Sequence, residues 1–245
     1  MATTGGGVGA EGLSEPLRRF VSEVPYERRP ILEFVRAASE SLPPGVRVLD
    51  VGAGEAPYRE LFDHVDYVTL DWSGSLHEEA KEADLKGSAD ALPLQDEEFD
   101  AVLMTQVLEH LPQPLEALQE ARRVLRPGGR AYLTVPLVWE LHEQPFDYWR
   151  FTAAGLGRLL DQAGFIEIEA RARNDCFSTL AQLMRNAASA MGTAPDGLDE
   201  RRKMAAKALW SISEQVAALA PLDANMTLPL GYAATARRPP EPVRL

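Results

Sequence analysis

The stretch VLDVGAGEAPY, Val48 to Tyr58, limits what this chain can fold into more than any other. Val46, Val48, Leu49 and Val51 suit a parallel strand covered on both faces, and Gly52 and Gly54 let the backbone reverse and come against a ligand. A buried strand running into such a turn is built to hold a nucleoside-bearing cofactor. By itself the turn does not choose among dinucleotide, flavin and adenosyl cofactors, which all use it.

The segments that follow discriminate. A second apolar strand, Tyr67 to Leu70, ends in Asp71, at the distance expected of a carboxylate that accepts both hydroxyls of a ribose. Trp72 comes next, ready to lie against an adenine face. A third segment runs Gly87-Ser88-Ala89-Asp90-Ala91-Leu92-Pro93-Leu94, and a fourth, Phe99 to Met104, leads into Thr105-Gln106-Val107-Leu108-Glu109-His110. A helix from Glu116 to Leu125 stops at Arg126-Pro127-Gly128-Gly129, and a fifth strand spans Arg130 to Val135.

In this order the D-x-G-x-G turn, the S-x-A-D-x-L-P loop, the F-D-x-V strand ending near E-H and the L-R-P-G-G turn resemble class I S-adenosylmethionine-dependent methyltransferases. The likeness is to their small-molecule, type 11-like branch, and it covers roughly residues 46–165. It implies an α/β, Rossmann-like sheet of seven mostly parallel strands in the order 3-2-1-4-5-7-6, the last antiparallel, with helices on both faces. One departure stands out: Ala56-Pro57 occupies the place of a third glycine often found in the first turn. A dinucleotide site needs that glycine for its pyrophosphate, so the departure weakens the dinucleotide alternative more.

The resemblance also implies roles. S-adenosyl-L-methionine is the expected cofactor. Asp50 is placed for its ammonium side and Asp71 for its ribose, while Asp90 is placed for the adenine amino group and the Ala91 amide for the ring. Gly52, Ala53, Gly54, Trp72, Ala89, Gln106 and Val107 complete the expected cofactor contacts.

After the fifth strand, Pro136 to Thr152 concentrates His, Asp, Tyr, Trp and Arg where loops beyond parallel strands line a ligand crevice. It resembles an H-E-x-P-x-D-Y-x-R-[FY]-T segment of the same branch. His142 is the candidate acid–base group, because imidazole titrates near neutral pH. Tyr148 and Arg150 are candidates to orient the acceptor, with an Asp147–Arg150 ion pair as the alternative for Arg150. His64 and His77 sit among polar residues and are expected to be exposed. No H-E-x-x-H or similar spacing exists, so no metal is expected.

Thr152 caps a helix over Ala153 to Ala163, closed by Gly164, and the sixth strand covers Phe165 to Ala172. Upstream of the first strand, apolar residues between Leu17 and Ala38 recur at helical intervals interrupted by Pro25 and Pro30, which predicts two short helices. These cover either the cleft or only a sheet edge. Downstream, Phe177 to Met191 and Met204 to Leu219 predict two helices, the second with Met204, Ala208, Ile212, Val216 and Leu219 on one face. Leu228 to Arg237 then returns as the antiparallel partner of the sixth strand at the sheet edge.

The expected organisation is a disordered N-terminus over 1–12, N-terminal helices over 13–45, the cofactor core over 46–175, a helical insertion over 176–225, and the last strand and tail over 226–245. The insertion serves as a cap on the acceptor pocket, as a homodimer surface, or as plain packing.

Charge and composition narrow the partners. A net charge of −12 lacks the basic track that a phosphate backbone demands, so no nucleic acid is expected. Cys176 is the only cysteine, which excludes an internal disulfide and suits a cytoplasmic setting. No apolar run has membrane-spanning length. The expected activity is methylation of an oxygen or nitrogen atom on a small metabolite, glycan intermediate or peptide of a bacterial biosynthetic route. The alternative from another class is a non-catalytic adenosyl-binding subunit that docks a partner enzyme.

Overall fold

The computed structural model describes residues 12–74, 82–192, 199–223 and 225–241. The expected disordered segment therefore lies outside the described residues except for Gly12, and His77 lies outside them as well.

Seven strands form one sheet in the order β3-β2-β1-β4-β5-β7-β6. They are β1 (Arg47–Val51), β2 (Asp66–Asp71), β3 (Leu85–Lys86), β4 (Phe99–Thr105), β5 (Leu125–Pro136), β6 (Ile166–Ala172) and β7 (Gly231–Arg237). The first five run parallel, and β7 inserts antiparallel between β5 and β6. Strand β7 is thus interior and β6 forms the edge. The alternation along β1 divides its side chains between the two faces: Val48 packs with Ile31, Val35 and Phe62, whereas Leu49 and Val51 pack with Leu118, Leu133 and Leu156.

Helices α1 (Glu15–Glu23) and α2 (Pro25–Glu40) cover the first face; α3 (Pro114–Val124) and α4 (Ala153–Gln162) contribute to the core on the second. Ser14 caps α1 by accepting the Leu17 amide, and Thr152 caps α4 by accepting that of Gly155. Helices α5 (Cys176–Gly192) and α6 (Glu200–Ala217), which follow β6 and precede β7 along the chain, pack against each other.

Two expectations change. Pro30 does not interrupt a helix; α2 runs through it for 16 residues. Proline removes the donor that would reach the Tyr26 carbonyl one turn back, and the side-chain amide of Asn174 donates to that carbonyl instead. Strand β5 starts at Leu125 rather than Arg130, because Leu125 pairs with Phe99 and the glycines carry the chain across an irregularity in register. At Gly129 a Cβ would stand 2.9 Å from the carbonyls of Asp100 and Arg126. On α6 Met204 and Ile212 are exposed, as is Leu219 just beyond it, and Ser213 is buried.

Among the described residues no helix is long and apolar enough to cross a membrane.

Candidate functional site

A cavity of about 520 Å³ lies at the carboxyl ends of β1, β2 and β4, within the size range of cofactor pockets. One set of lining residues comes from the strand ends: Gly52, Ala53, Gly54, Asp71, Trp72, Ala89, Asp90, Gln106 and Val107. A second set comes from elsewhere. Phe20, Glu23, Glu27, Arg28 and Ile31 project from α1 and α2, and Trp139, His142, Glu143, Phe146 and Tyr148 come from the loop between β5 and α4.

The turn after β1 has the shape its glycines permit. Gly52 and Gly54 adopt φ +68° and +55°. A Cβ on Gly52 would lie 2.6 Å from Val107 Cγ2, so the bare backbone is what allows β1 and β4 to close together there. The Gly54 amide donates to Asp71 Oδ2 at 2.8 Å, and the Trp72 amide to Asp71 Oδ1 at 2.8 Å. A carboxylate has about four acceptor positions, so Asp71 keeps capacity for hydroxyl donors from a ligand. Trp72 meets Phe146 edge to face at 5.2 Å, joining the strand ends to the β5–α4 loop.

Other expected contacts fall differently. Asp50 is buried and does not line the cavity: the Tyr67 hydroxyl donates to Oδ2, and Oδ1 has no hydrogen-bond partner among the described residues. Burial, opposed by the Tyr67 hydrogen bond, pushes its pKa up to about 7. The Ala91 amide donates to the Ser88 carbonyl at 3.1 Å within the turn, and Ala91 is not part of the wall. The Asp90 carboxylate accepts the Ser88 hydroxyl and lines the cavity. Gln106, at φ +56°, donates its backbone amide to Thr134 O and its side-chain amide to Thr134 Oγ1, both at 3.0 Å.

In the β5–α4 loop, Arg150 does not reach the cavity. Its guanidinium holds Asp147 at 2.6 and 2.9 Å and also donates to the Trp149 and Glu140 carbonyls, so it fastens the loop on itself. The hydrogen bonds from Arg150 hold the Asp147 carboxyl down at about 2. His142 and Tyr148 do line the cavity. His142 Nδ1 lies 3.4 Å from Asp147 Oδ2 and 3.3 Å from the Glu140 carbonyl. His64, in contrast, is exposed at the far end of β2, with Nε2 3.2 Å from the Ser39 carbonyl.

Spacing along the chain missed one grouping. His110 follows β4, and its ring meets that of His142 at 4.7 Å. Glu109 beside them is fully buried, and neither carboxylate oxygen has a hydrogen-bond partner among the described residues. Burial pushes the Glu109 carboxyl up to about 8, and His110 is shifted down by its own burial. The Glu109 carbonyl accepts the Tyr148 and Trp149 amides at 2.9 and 3.2 Å, which ties the E-H pair to the acceptor loop.

The cavity fits a cationic nucleoside ligand. Acidic lining residues, among them Glu55, Asp71 and Asp90, outnumber Arg28 and the two histidines, and the glycine turn offers backbone where a side chain would intrude.

Residues 49–133 match the family model described as a methyltransferase domain. The chain is 36% identical over 110 residues to a demethylmenaquinone methyltransferase of Renibacterium salmoninarum, covering 42% of this chain and 44% of that one. It is 34% identical over 137 residues to a ubiquinone/menaquinone biosynthesis C-methyltransferase of a Ruegeria species, covering 50% of each. The chain thus spans about half the length of these curated relatives. In fold it is similar to a SAM-dependent methyltransferase from Archaeoglobus fulgidus, with a TM-score of 0.58 and 18% identity over 90% of this chain and 98% of that one. It is also similar in fold to the [4+2]-cyclase SpnF, with a TM-score of 0.56 and 24% identity over 86% of this chain and 81% of that one. Residues 49–133 thus carry a methyltransferase domain, and the strand order and glycine turn around them are those of the class I S-adenosylmethionine-dependent fold.

Proposed function

We propose that this chain transfers a methyl group from S-adenosylmethionine to an oxygen or nitrogen atom of a small metabolite, glycan intermediate or peptide in a bacterial biosynthetic route, in the cytoplasm. The observation that carries the proposal is one cavity walled both by the strand-end residues Gly52, Asp71 and Asp90 and by the acceptor-loop residues His142 and Tyr148. A non-catalytic adenosyl-binding subunit has no need of the second wall.

S-adenosylmethionine, when bound, supplies a methyl group already activated by its sulfonium charge. The chain's own residues do the rest. Asp71 takes the ribose hydroxyls and Asp90 the adenine amino group, with Trp72 against the base and the Gly52–Gly54 turn and Val107 closing around the nucleoside. Phe20, Ile31 and Trp139 exclude water from the acceptor side, and Tyr148 orients the acceptor. Holding the two reactants in line supplies roughly 7–11 kcal/mol of the barrier. For a hydroxyl acceptor, His142 takes the proton at Nε2 while Asp147 and the Glu140 carbonyl fix Nδ1, adding about 10²–10⁴-fold. An amine acceptor needs less of this help.

The test is product formation. Incubating the chain with methyl-labelled S-adenosylmethionine and a panel of hydroxyl and amine acceptors releases S-adenosylhomocysteine in step with labelled acceptor. Calorimetric binding of the cofactor with no transfer to any acceptor would favour the binding-subunit reading. Label found on carbon, as the name of the Ruegeria relative would suggest, would correct the acceptor atom.

A further inference from the structure

We propose that Glu109, His110 and His142 form a binding site for one divalent transition-metal ion of the zinc class, open to the cavity. This goes beyond methyl transfer and does not depend on it. One ligand atom from each of the three residues lies within 4.8 Å of the other two. Two are imidazoles and one is a carboxylate, a donor set that suits zinc, nickel or copper and disfavours magnesium and calcium. Three protein ligands with an open fourth position are the arrangement of zinc sites that work on a substrate.

Independent features of the surroundings point the same way. His110 Nδ1 donates to the Phe146 carbonyl at 2.8 Å, which puts the ring's lone pair on Nε2, the nitrogen that stands 3.8 Å from Glu143 Oε2. His142 Nδ1 faces the Glu140 carbonyl and Asp147, so its lone pair also falls on Nε2. A carbonyl or carboxylate behind each ring is what fixes a metal-binding tautomer. Glu109 supplies the second line of argument. It is fully buried beside these rings, and both of its oxygens are without hydrogen-bond partners among the described residues. Such a carboxylate is expensive to bury unless something positive meets it, and a cation held by the two imidazoles does so.

The geometry needs modest adjustment. Ligand atoms 2.0–2.2 Å from one tetrahedral ion stand roughly 3.3 Å apart, so the set closes by at most about 1.5 Å. His142, on the β5–α4 loop, is the member able to move. His110 and His142 both line the cavity, so the open coordination position meets an acceptor oxygen or water there. A bound ion polarises that oxygen and occupies the Nε2 lone pair with which His142 accepts a proton in the metal-free chain.

The experiment is a titration of the chelator-stripped full chain with zinc, and separately with magnesium, in the absence of cofactor. The readouts are calorimetry, metal content after gel filtration and the visible spectrum of the cobalt-substituted protein. The expected result is one zinc per chain, a cobalt spectrum of a nitrogen- and oxygen-ligated low-coordinate site, and affinity reduced roughly 100-fold or more in His110→Ala, His142→Ala and Glu109→Gln. Glu109→Gln keeps the side-chain shape and His142→Ala lies on a loop, so these two decide the matter should His110→Ala fail to fold. Absence of stoichiometric zinc binding, affinity unchanged in both of those variants, or magnesium bound as tightly as zinc would each overturn the proposal. None of these results bears on cofactor binding, which the Asp71 and Asp90 wall governs and which is measured separately.

Discussion

Asp71, the last residue of β2, accepts the amide of Gly54 at 2.8 Å, so the carboxylate proposed for the ribose also braces the turn that follows β1. Asp71→Ala removes both functions. Hydrogen bonds to a charged group contribute about 1.5–3 kcal/mol each, so S-adenosylhomocysteine affinity should fall roughly 10- to 100-fold by calorimetry. Asp71→Asn retains an acceptor for one of the two backbone amides and should lose less thermal stability than the alanine variant. Unchanged affinity in Asp71→Ala would remove the ribose assignment.

Gly52 meets two demands at once: φ of +68° and an approach to Val107 that a Cβ would bring to 2.6 Å. Gly52→Ala should therefore destabilise the chain by about 1–3 kcal/mol and weaken cofactor binding. Adding Val107→Ala removes the steric component and leaves the backbone one. The double variant should recover part of the Gly52→Ala loss, relative to Val107→Ala alone, in a denaturant series. No recovery would mean that the backbone angle, rather than the contact, makes glycine necessary.

Strand order came with the family resemblance, whereas the strand-end half of the cavity was legible because it follows from local chemistry: apolar strands, glycine turns and acids at strand ends, read in order along the chain. What stayed hidden depends on contacts between distant segments. Nothing near Pro30 announces Asn174, which lies 148 residues beyond the Tyr26 carbonyl it serves. The grouping of His110 with His142 joins the loop after β4 to the loop after β5, and no local periodicity records which loops meet. Asp50 and Asp71 both end strands, yet one is sealed beneath Tyr67 and the other lines the cavity. The apolar spacing along α6 is helical, but spacing alone does not say which side the rest of the chain covers.

The Asn174 amide stands in for the backbone donor that Pro30 lacks. Asn174→Ala should leave the Tyr26 carbonyl short of a partner and cost about 1–2 kcal/mol in urea unfolding. With Pro30→Ala already in place, a backbone N–H is restored at position 30 and reaches the same carbonyl. Asn174→Ala should then cost measurably less, a coupling that a double-mutant cycle isolates. Additive effects would show that Asn174 acts through other contacts.

Asp50 makes stability depend on pH in a direction opposite to that of an ordinary surface acid. Burial raises its pKa from 3.8 to about 7, with Asp71 adding repulsion and the Tyr67 hydroxyl and Arg59 opposing the rise. The folded chain therefore holds this proton more tightly than the unfolded chain does. The stability it lends is fully present below about pH 4 and drains away as pH climbs through about 7. Between those limits the loss is on the order of 4 kcal/mol for this group. Asp50→Asn presents a neutral side chain of the same shape at every pH. Urea unfolding of the cofactor-free chain at pH 5 and pH 8 should show a smaller decline in the variant than in the parent. The contribution of Glu109, whose carboxyl is also raised, remains in both proteins and cancels in the comparison. Equal declines in the two proteins would mean that Asp50 is already ionised in the folded chain at pH 5. The carboxylate beneath Tyr67 would then have to be held by a positive partner.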